Sequence, residues 1–266
     1  FYTKPTIVNF CIKQISKHIQ IHKKDLIIEP SGGAGAFFEG IKSLGKNYVF
    51  YDVMPENKEI IKEDFLTLDI KPLVEAHQWI HVIGNPPFGR QSSLAIKFIK
   101  KSCTFCKSIS FILPKSFKKE SLKKKVPLNF HLVAEFDLNE NAFLLNGVDY
   151  NVPTVFQIWL QKDYNRQSPK LEKPINFAFV KKQDAPHISV RRVGAYAGQI
   201  NQNTDEKSEQ SHYFIKFLNI DPDKKLIQKL KQILFFESSN TIGPRSISKQ
   251  ELIIKFNKII DLIHNR

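Results

Sequence analysis

Short apolar runs that alternate with helical stretches constrain the fold of this chain more than any other feature. Helices with apolar residues at helical spacing are predicted at 6–21 and 93–106. Two strands predicted at 130–138 and 155–161 lie close together in sequence, which indicates an antiparallel pair at one edge of a sheet. Apolar strands separated by helices are typical of a mostly parallel sheet covered by helices on both faces. The other strands predicted for this sheet are 26–28, 47–52, 79–84 and 109–113.

The sequence changes in character after residue 161. Residues 163–174 are polar and contain two prolines, which is typical of an exposed connection. Ser248 and Glu251 form a capping box that predicts the start of a last helix. We therefore predict one domain over residues 1–163 and a small α+β extension over residues 164–266. The elements predicted in the extension are strands at 177–180, 188–193 and 213–217 and helices at 224–236 and 249–264.

The composition bounds the class of protein and its partners. The net charge of +14 predicts an anionic partner, and nucleic acid is favoured, although a lysine-rich chain can also reflect a biased genome. Three cysteines are too few for a disulfide framework, which favours a reducing, intracellular location, cytoplasmic or nucleoid or nuclear. No run approaches the ~18 apolar residues of a membrane span. Cys103 and Cys106 have zinc-ligand spacing but no second pair completes a site, so we predict two core cysteines and no metal.

A glycine cluster follows the first predicted strand. Glycines at such a strand-to-helix turn let the backbone approach a ligand closely. The dinucleotide pattern G-x-G-x-x-G would need a third glycine where Phe38 stands, which favours a ligand without a pyrophosphate. A plain turn between strand and helix is the alternative. The candidate binding residues of this segment are Glu29, Pro30, Ser31, Gly33, Gly35 and Phe37.

Acidic residues also end the next two strands. Asp52 follows the glycine cluster by about 20 residues, where a carboxylate accepts hydrogen bonds from ribose hydroxyls in this kind of sheet. Asp64 and Phe65 suit an adenine, because the ring can stack and the carboxylate can accept from the exocyclic amine. Each acid alone is typical of a solvated surface. Three acids at successive strand ends beside one glycine turn indicate a nucleoside-containing ligand.

Five motifs in one order carry a family resemblance: Tyr2-Thr3-Lys4-Pro5, the glycine cluster, Tyr51-Asp52, Asp64-Phe65 and Asn85-Pro86-Pro87-Phe88. In this order they resemble the S-adenosylmethionine-dependent N6-adenine methyltransferases that act on nucleic acids. The resemblance covers residues 1–162. It implies a Rossmann-like class I methyltransferase fold with a mostly parallel seven-stranded sheet and an antiparallel edge strand. It also implies S-adenosylmethionine as cofactor, bound in part by Tyr2, Thr3, Lys4 and Pro5, and a substrate of DNA rather than RNA.

The tetrapeptide Asn85–Phe88 has a chemical rationale in such an enzyme. Adenine N6 is a poor nucleophile because its lone pair is delocalised into the ring. The Asn85 side-chain oxygen and the Pro86 carbonyl could both accept hydrogen bonds from this amine and favour a pyramidal nitrogen. Pro86 and Pro87 would fix the backbone, and Phe88 would stack on the target base. The plain alternative is a rigid loop after a strand.

Two other functions remain open from the sequence. Related enzymes that methylate a glutamine amide carry Asn-Pro-Pro-Tyr at this place, and a planar amide poses the same electronic problem. Phe88 and the basic composition favour adenine over glutamine. The third possibility is a nucleic-acid-binding module that keeps the fold without catalysing transfer, and the intact motifs argue against it.

Candidate substrate contacts are spread over both regions. By resemblance, Phe143 occupies the place of an aromatic side chain that stacks on a base extruded from a duplex, and a buried core position is the alternative. Lys115 begins a lysine-rich run that could hold phosphates, or else form a solvated helix face above an apolar stripe of Phe117, Leu122 and Val126. The resemblance makes residues 164–266 a candidate target-recognition region. Its candidate phosphate contacts are Arg191, Arg192 and Arg245.

Overall fold

A computed structural model describes residues 2–138, 141–168, 170–235 and 244–264 of the 266-residue chain. The chain divides into two compact units, residues 1–168 and 169–266. Buried apolar residues form two clusters in the first unit and a third in the second unit. Each unit therefore has a hydrophobic core of its own.

The first unit contains ten strands and five α-helices among its described residues. The strands are β1 (Tyr2–Thr3), β2 (Leu26–Glu29), β3 (Asn47–Asp52), β4 (Ile61–Lys62), β5 (Ile80–Gly84), β6 (Ser108–Pro114), β7 (Phe130–Asp137), β8 (Phe143–Leu145), β9 (Val148–Tyr150) and β10 (Thr154–Gln161). The helices are α1 (Pro5–His18), α2 (Phe38–Leu44), α3 (Lys71–Ala76), α4 (Ser93–Ser102) and α5 (Glu120–Lys123). Two 3₁₀ turns, Arg90–Ser92 and Lys115–Lys118, follow β5 and β6.

Seven of these strands form one sheet in the order β4-β3-β2-β5-β6-β10-β7. The pairs β3–β4, β2–β3, β2–β5 and β5–β6 are parallel. Strand β10 runs antiparallel to both of its neighbours, β6 and β7. The mostly parallel sheet and the antiparallel pair at its edge are thus confirmed. The reversed strand is β10, which lies one place in from the edge rather than at the edge itself.

Both faces of this sheet are apolar, which explains why its central strands read as continuous hydrophobic runs. Along β2, Leu26 and Ile28 belong to one core cluster and Ile27 to the other, because successive side chains in a strand point to opposite faces. Helix α4 packs Phe98 and Ile99 on the first face, whereas helix α1 packs on the second. The sheet is therefore held between two helical layers.

A three-stranded antiparallel sheet, in the order β1-β8-β9, lies within the same unit. Thr3 pairs with Phe143, and Phe143 pairs with Tyr150. Asn146 and Gly147 connect β8 to β9 with φ angles of 51° and 80°, the left-handed pair that a tight hairpin turn requires. The segment between the predicted strands 130–138 and 155–161, interpreted from the sequence as a loop, therefore contains two strands within residues 143–150. Residues 139 and 140 lie outside the described residues.

The three cysteines are free and buried, which agrees with the core positions predicted for Cys103 and Cys106. Burial raises the pKa of the Cys103 thiol to about 12, against a smaller opposing effect of Arg166. Burial also raises the pKa values of Cys11 and Cys106 well above the usual range. All three side chains consequently behave as small apolar groups.

The second unit is an α+β arrangement, as predicted. Its antiparallel sheet has the order β11-β14-β12-β13. At the start of its last helix, Ser248 Oγ accepts from Glu251 N at 3.2 Å and Glu251 Oε2 accepts from Ser248 N at 2.6 Å, which confirms the capping box. Its elements are β11 (Phe177–Val180), β12 (Ile188–Arg191), β13 (Ile200–Asn201), β14 (His212–Phe217), α6 (Lys224–Lys231) and α7 (Lys249–His264).

Helix α6 ends at Lys231, several residues before the predicted end, and residue 236 lies outside the described residues. The Asp223 carboxylate caps its first turn by accepting a hydrogen bond from Leu226 N at 2.7 Å. Among the helices in the described part of the chain, none combines the length and the apolar character needed to span a bilayer.

Candidate functional site

The candidate site lies at the edge of the large sheet where its parallel strands end. Glu29 ends β2, Asp52 ends β3, and Asn85 directly follows β5. Because these strands are parallel neighbours, their carboxyl ends bring the three side chains to one crevice, as in other open α/β sheets. The crevice is a cavity of about 350 Å³, which is within the size range of small-molecule sites.

Thirteen of the predicted site residues line this cavity. They come from β1, from the strand ends and from the loops that follow β2, β4 and β5. They are Tyr2, Thr3, Glu29, Pro30, Ser31, Gly33, Phe37, Asp52, Asp64, Phe65, Asn85, Pro86 and Pro87. Their assignment to cofactor or substrate remains a prediction.

Four lining residues were missed by the sequence analysis: Gly32, Ala36, Val53 and Phe98. Gly32 and Ala36 belong to the glycine segment, and Val53 follows Asp52, so proximity in sequence could have indicated them. Phe98 lies on α4 and reaches the cavity only through tertiary packing. Its helical spacing indicated a core position and nothing more.

A hydrogen bond to the Asp52 side chain connects the glycine segment to the end of β3. Gly33 has a φ of +53° and its N–H donates to Asp52 Oδ2 at 2.9 Å. The other Asp52 oxygen accepts from Met54 N at 2.8 Å. Helix α2 begins only at Phe38, so residues 30–37 form a loop rather than an immediate turn into a helix. Asp52 therefore shapes the loop as well as facing the cavity.

Glu29 is a buried carboxylic acid in the cavity wall. It is 2% exposed, and its Oε2 atom has no hydrogen-bond partner among the described residues. Burial, and secondarily the negative charge of Asp52, raise the pKa of Glu29 well above its usual value. The site thus favours the protonated acid as long as no cationic group lies beside it.

An aromatic wall lies near the end of β4. Phe65 is buried and stacks on Phe98, with ring centroids 5.5 Å apart and an interplanar angle of 22°. The neighbouring Asp64 accepts from Leu66 N at 2.9 Å through Oδ1. A flat apolar surface next to a carboxylate has the chemical character needed to hold a purine.

Asn85 contacts β1 and the glycine segment. Its Nδ2 atom donates to Thr3 Oγ1 at 3.2 Å, and its backbone oxygen accepts from Ser31 Oγ at 3.2 Å. Its side-chain Oδ1 atom is buried and has no partner among the described residues. Because an unpaired buried acceptor is unfavourable by about 1–3 kcal/mol, this oxygen marks a place where a ligand donor is needed.

Some predicted residues do not reach the cavity lining. Lys4 forms an ion pair with Asp149 at 2.6 Å, and Pro5 begins helix α1. Gly35 has a φ of +89°, and a Cβ atom there would approach the Phe38 ring to 3.1 Å, so Gly35 serves the turn itself. The predicted cofactor contacts of Lys4, Pro5 and Gly35 stay predictions that this cavity lining does not support.

The two predicted base-stacking aromatics are also outside the lining. Phe143 is 0% exposed and belongs to a buried apolar cluster of the first unit, so in this structure it occupies a core position and presents no exposed stacking face. Phe88 packs, partly buried, against the same cluster. The stacking role of Phe88 stays a prediction.

Three of the six lysines in the run after β6 form ion pairs with acids of β7. Lys115 and Lys118 contact Asp137 at 3.6 and 2.8 Å, and Lys123 contacts Glu135 at 3.1 Å. Partial burial of Asp137 opposes ionisation, but the two lysines outweigh it and lower the pKa of that carboxyl. Phe117 and Val126 are buried and Leu122 packs beside them as the predicted apolar stripe, and a phosphate contact of Lys115 stays a prediction.

The three predicted arginines lie in the second unit. Arg191 Nε donates to Val193 O at 3.1 Å, whereas two nitrogens of Arg192 donate to Gln210 O at 3.0 and 2.8 Å. Arg245 is exposed, and its carbonyl oxygen accepts from Gly194 N at 2.9 Å. Within the described ranges, no three His, Cys, Asp or Glu side chains are arranged to hold a metal ion.

One family model and several solved structures are similar to part of this chain. The family model of the EDM2 methyltransferase-like domain matches residues 3–171. A candidate RNA methyltransferase from Pyrococcus horikoshii is 15% identical with a TM-score of 0.46, over 60% of this chain and 87% of its own. The 23S rRNA methyltransferase ErmE is 13% identical with a TM-score of 0.45, over 62% and 71% of the two chains.

A dimethyladenosine transferase from Plasmodium falciparum is 17% identical with a TM-score of 0.44, over 61% of this chain and 64% of its own. None of the curated proteins matches the chain. Because all three TM-scores lie below 0.5, the assignment depends on the family model.

Proposed function

The chain belongs to the EDM2 methyltransferase-like domain family, and on that basis we propose that it transfers a methyl group from S-adenosylmethionine to N6 of adenine in nucleic acid. Its seven-stranded order, with one reversed strand next to the edge, is that of the Rossmann-like class I methyltransferase fold. The observation that carries the adenine assignment is the buried Asn85 Oδ1, an acceptor without a partner in the described structure, beside a cavity with nucleoside-binding chemistry.

The cavity residues fit S-adenosylmethionine. The cofactor, when bound, supplies an electrophilic methyl group on a positively charged sulfur. Asp52 would accept hydrogen bonds from the ribose hydroxyls, and Asp64 with Phe65 would hold the adenine. The cationic groups of the cofactor would favour the ionised form of Glu29, whose Oε2 has no partner in the described structure.

Asn85 and Pro86 would act on the target amine. The Asn85 amide is oriented by Thr3, so its Oδ1 can accept from N6–H, and the Pro86 carbonyl can accept the second N6–H. With both N6–H groups held by these acceptors, the N6 lone pair would be directed out of the base plane, towards the methyl group that the cofactor would supply. The surplus N6 proton leaves to water. Asn85 is in this proposal a catalytic residue that contacts the reacting nitrogen.

The distribution of charge supports a polyanionic substrate. Residues 1–76, which supply β1 to β4, contain ten Lys and Arg and ten Asp and Glu. Residues 77–168, which supply β5 to β10, contain thirteen Lys and Arg against six Asp and Glu. The net positive charge of the first unit thus belongs to the half of the sheet on the side of Asn85, away from Asp52. Such asymmetry is expected where a phosphate backbone is bound.

The test measures transfer and cofactor binding separately on the full chain. Labelled S-adenosylmethionine is incubated with double-stranded DNA, single-stranded DNA and RNA of one sequence, and the products are digested to nucleosides. We expect label on N6-methyladenosine species, with DNA favoured over RNA by the motif resemblance. Label recovered instead on glutamine of a protein substrate would replace the proposal by amide methylation.

Three variants separate the assigned roles. Asn85→Ala is expected to lower transfer at least ~100-fold while leaving the cofactor Kd within about twofold, because the Asn85 oxygen contacts the target amine. Asp52→Ala is expected to weaken cofactor binding by about tenfold or more. Asn9→Ala, an exposed position on α1, is the matched control and should change neither quantity. Unchanged transfer by Asn85→Ala would contradict the catalytic role of Asn85. Cofactor binding without any methyl transfer by the natural chain would favour a non-catalytic module.

A further inference from the structure

A second cavity, of about 330 Å³, lies entirely within the second unit. Three cationic side chains line it from different elements. Lys181 follows β11, Arg192 follows β12, and Lys249 begins α7. The three residues are up to 68 positions apart in sequence. Of the three, only Arg192 was predicted from the sequence as a phosphate contact.

The three cations have no carboxylate partner. None of Lys181, Arg192 and Lys249 forms an ion pair within 4.0 Å with any described residue. Three lysines of the run after β6, in contrast, form ion pairs with acids of β7. One acid, Glu209, lines the cavity, and its Oε1 accepts a hydrogen bond from Lys182 N at 3.2 Å. The cavity therefore has an excess of positive charge that an anion would neutralise.

The cations are held by aromatic rings and by backbone. Lys249 Nζ lies 4.9 Å from the centroid of the Phe179 ring, and the Arg192 guanidinium lies 5.9 Å from that of Tyr213. The two rings contact each other edge to face at 5.6 Å. Arg192 directs two of its N–H groups to the single carbonyl oxygen of Gln210, so other N–H groups of its fork keep their capacity to donate. Arg192 and Lys249 thus have protein contacts that orient their side chains before any ligand arrives.

We propose that this cavity binds a phosphate group of a nucleotide, with Arg192, Lys181 and Lys249 as its charged contacts. Guanidinium and ammonium groups form strong charge-assisted hydrogen bonds to phosphate oxygens, and the planar guanidinium can do so with two parallel bonds. A nucleic-acid strand is the source of this phosphate that follows from the proposed function, on which this part of the inference rests. A free nucleotide is the other source of the same chemistry.

The binding experiment compares two triple variants of equal charge. Lys181→Ala, Arg192→Ala and Lys249→Ala together remove the cavity cations. Their matched control removes three exposed lysines of α6 outside the cavity, by Lys224→Ala, Lys225→Ala and Lys231→Ala. Binding of a labelled 12-nucleotide DNA strand, its duplex, the same RNA strand, AMP and inorganic phosphate is measured on each full-length chain over a series of salt concentrations.

We expect the Kd of the cavity variant for the strand or duplex to rise at least ~10-fold. The slope of log K against log salt concentration should fall by the equivalent of about one to two phosphate contacts. The control should lose less than about threefold. AMP binding that depends on the cavity, with strand binding equal in all three proteins, would support the site with a free nucleotide as its source. Equal losses in both triple variants, or no dependence of any probe on the cavity, would overturn the proposal.

Two further measurements keep this result interpretable. Circular dichroism melts establish that each variant folds, and Lys181→Glu alone reverses one exposed charge as a milder second variant, for which we expect weaker strand binding. Methyl transfer is assayed in parallel. If binding depends on the cavity but the natural chain transfers no methyl group, this inference stands and the proposed function is rejected. If the natural chain transfers methyl groups but binding does not depend on the cavity, the proposed function stands and this inference is rejected.

Discussion

Individual side chains at the strand ends were predictable to the extent that their chemistry is local in sequence. Glu29, Asp52 and Asn85 each end or follow an apolar strand, so their meeting at one sheet edge follows from parallel strands alone. The hydrogen bond from Asn85 to Thr3 joins residues 82 positions apart and left no signal in the sequence. Phe143 shows the opposite problem, because an aromatic residue in a suggestive loop can equally be a core residue, and here it is one.

Glu29 makes the stability of the cofactor-free protein depend on pH in a defined direction. Burial raises the pKa of Glu29 in the folded state, whereas the unfolded carboxyl ionises above about pH 4.3. Above that pH the folded state binds more protons than the unfolded state, so the free energy of unfolding falls as pH rises towards the folded pKa. The effect is absent below the unfolded pKa.

We therefore expect Glu29→Gln to flatten this dependence. Urea unfolding at pH 5 and pH 8 should show a smaller loss of stability for Glu29→Gln than for the natural chain, because the neutral amide has no buried ionisation to oppose. Glu75→Gln changes an exposed carboxylate on α3 and serves as the control. Parallel pH profiles for the natural chain and Glu29→Gln would show that Glu29 is ionised in the folded state.

At the level of elements, strands with a strong pattern were found and very short ones were missed. The prediction for β3 matches its observed bounds, and β5 differs by one residue at its start. Strands β1, β4 and β13 have two residues each, which is too short for any alternation to be visible. The hairpin of β8 and β9 was not predicted, although Asn146-Gly147 is a strong turn signal, because its strands have three residues each, too few for a visible alternation.

The turn between α5 and β7 depends on a single arginine. The Arg166 guanidinium donates to four backbone carbonyls, those of Lys123, Val126, Pro127 and Phe130, at 2.8–3.1 Å. It also lies 5.4 Å from the ring centroid of Trp159. One side chain thus bonds four carbonyls along the connection from the end of α5 to the start of β7.

We expect Arg166→Ala to lower the free energy of unfolding by about 2–3 kcal/mol, since it leaves these carbonyls without a charged donor. Arg166→Lys should recover only part of the loss, because an ammonium cannot reproduce the planar fork. Arg90→Ala removes an exposed arginine and is the control, with an expected change within about 0.5 kcal/mol. Denaturant unfolding gives all three values, and an Arg166→Ala midpoint equal to that of the control would contradict the role of Arg166.

At the scale of the whole molecule, the two cavities are lined by residues of different units. All residues that line the first cavity lie between Tyr2 and Phe98, and those of the second cavity lie between Phe179 and Lys249. The sequence indicated the two regions through the polar stretch near residue 163, and the compact units divide after residue 168. The second cavity was not predictable, because its cations belong to three separate elements without a shared motif.

The separate cores lead to a test by dissection. Each core cluster draws its buried residues from one unit alone, so a fragment of residues 1–168 should keep the whole of its own hydrophobic core. We expect this fragment to unfold in one cooperative transition and to bind S-adenosylmethionine with a Kd within about twofold of that of the full chain, as calorimetry would measure. The Asp52→Ala fragment is the control and should bind weakly. A fragment that folds but has lost cofactor affinity would mean that the first unit needs residues 169–266 to complete its site, and the cavity described between Tyr2 and Phe98 would then be insufficient for the proposed chemistry.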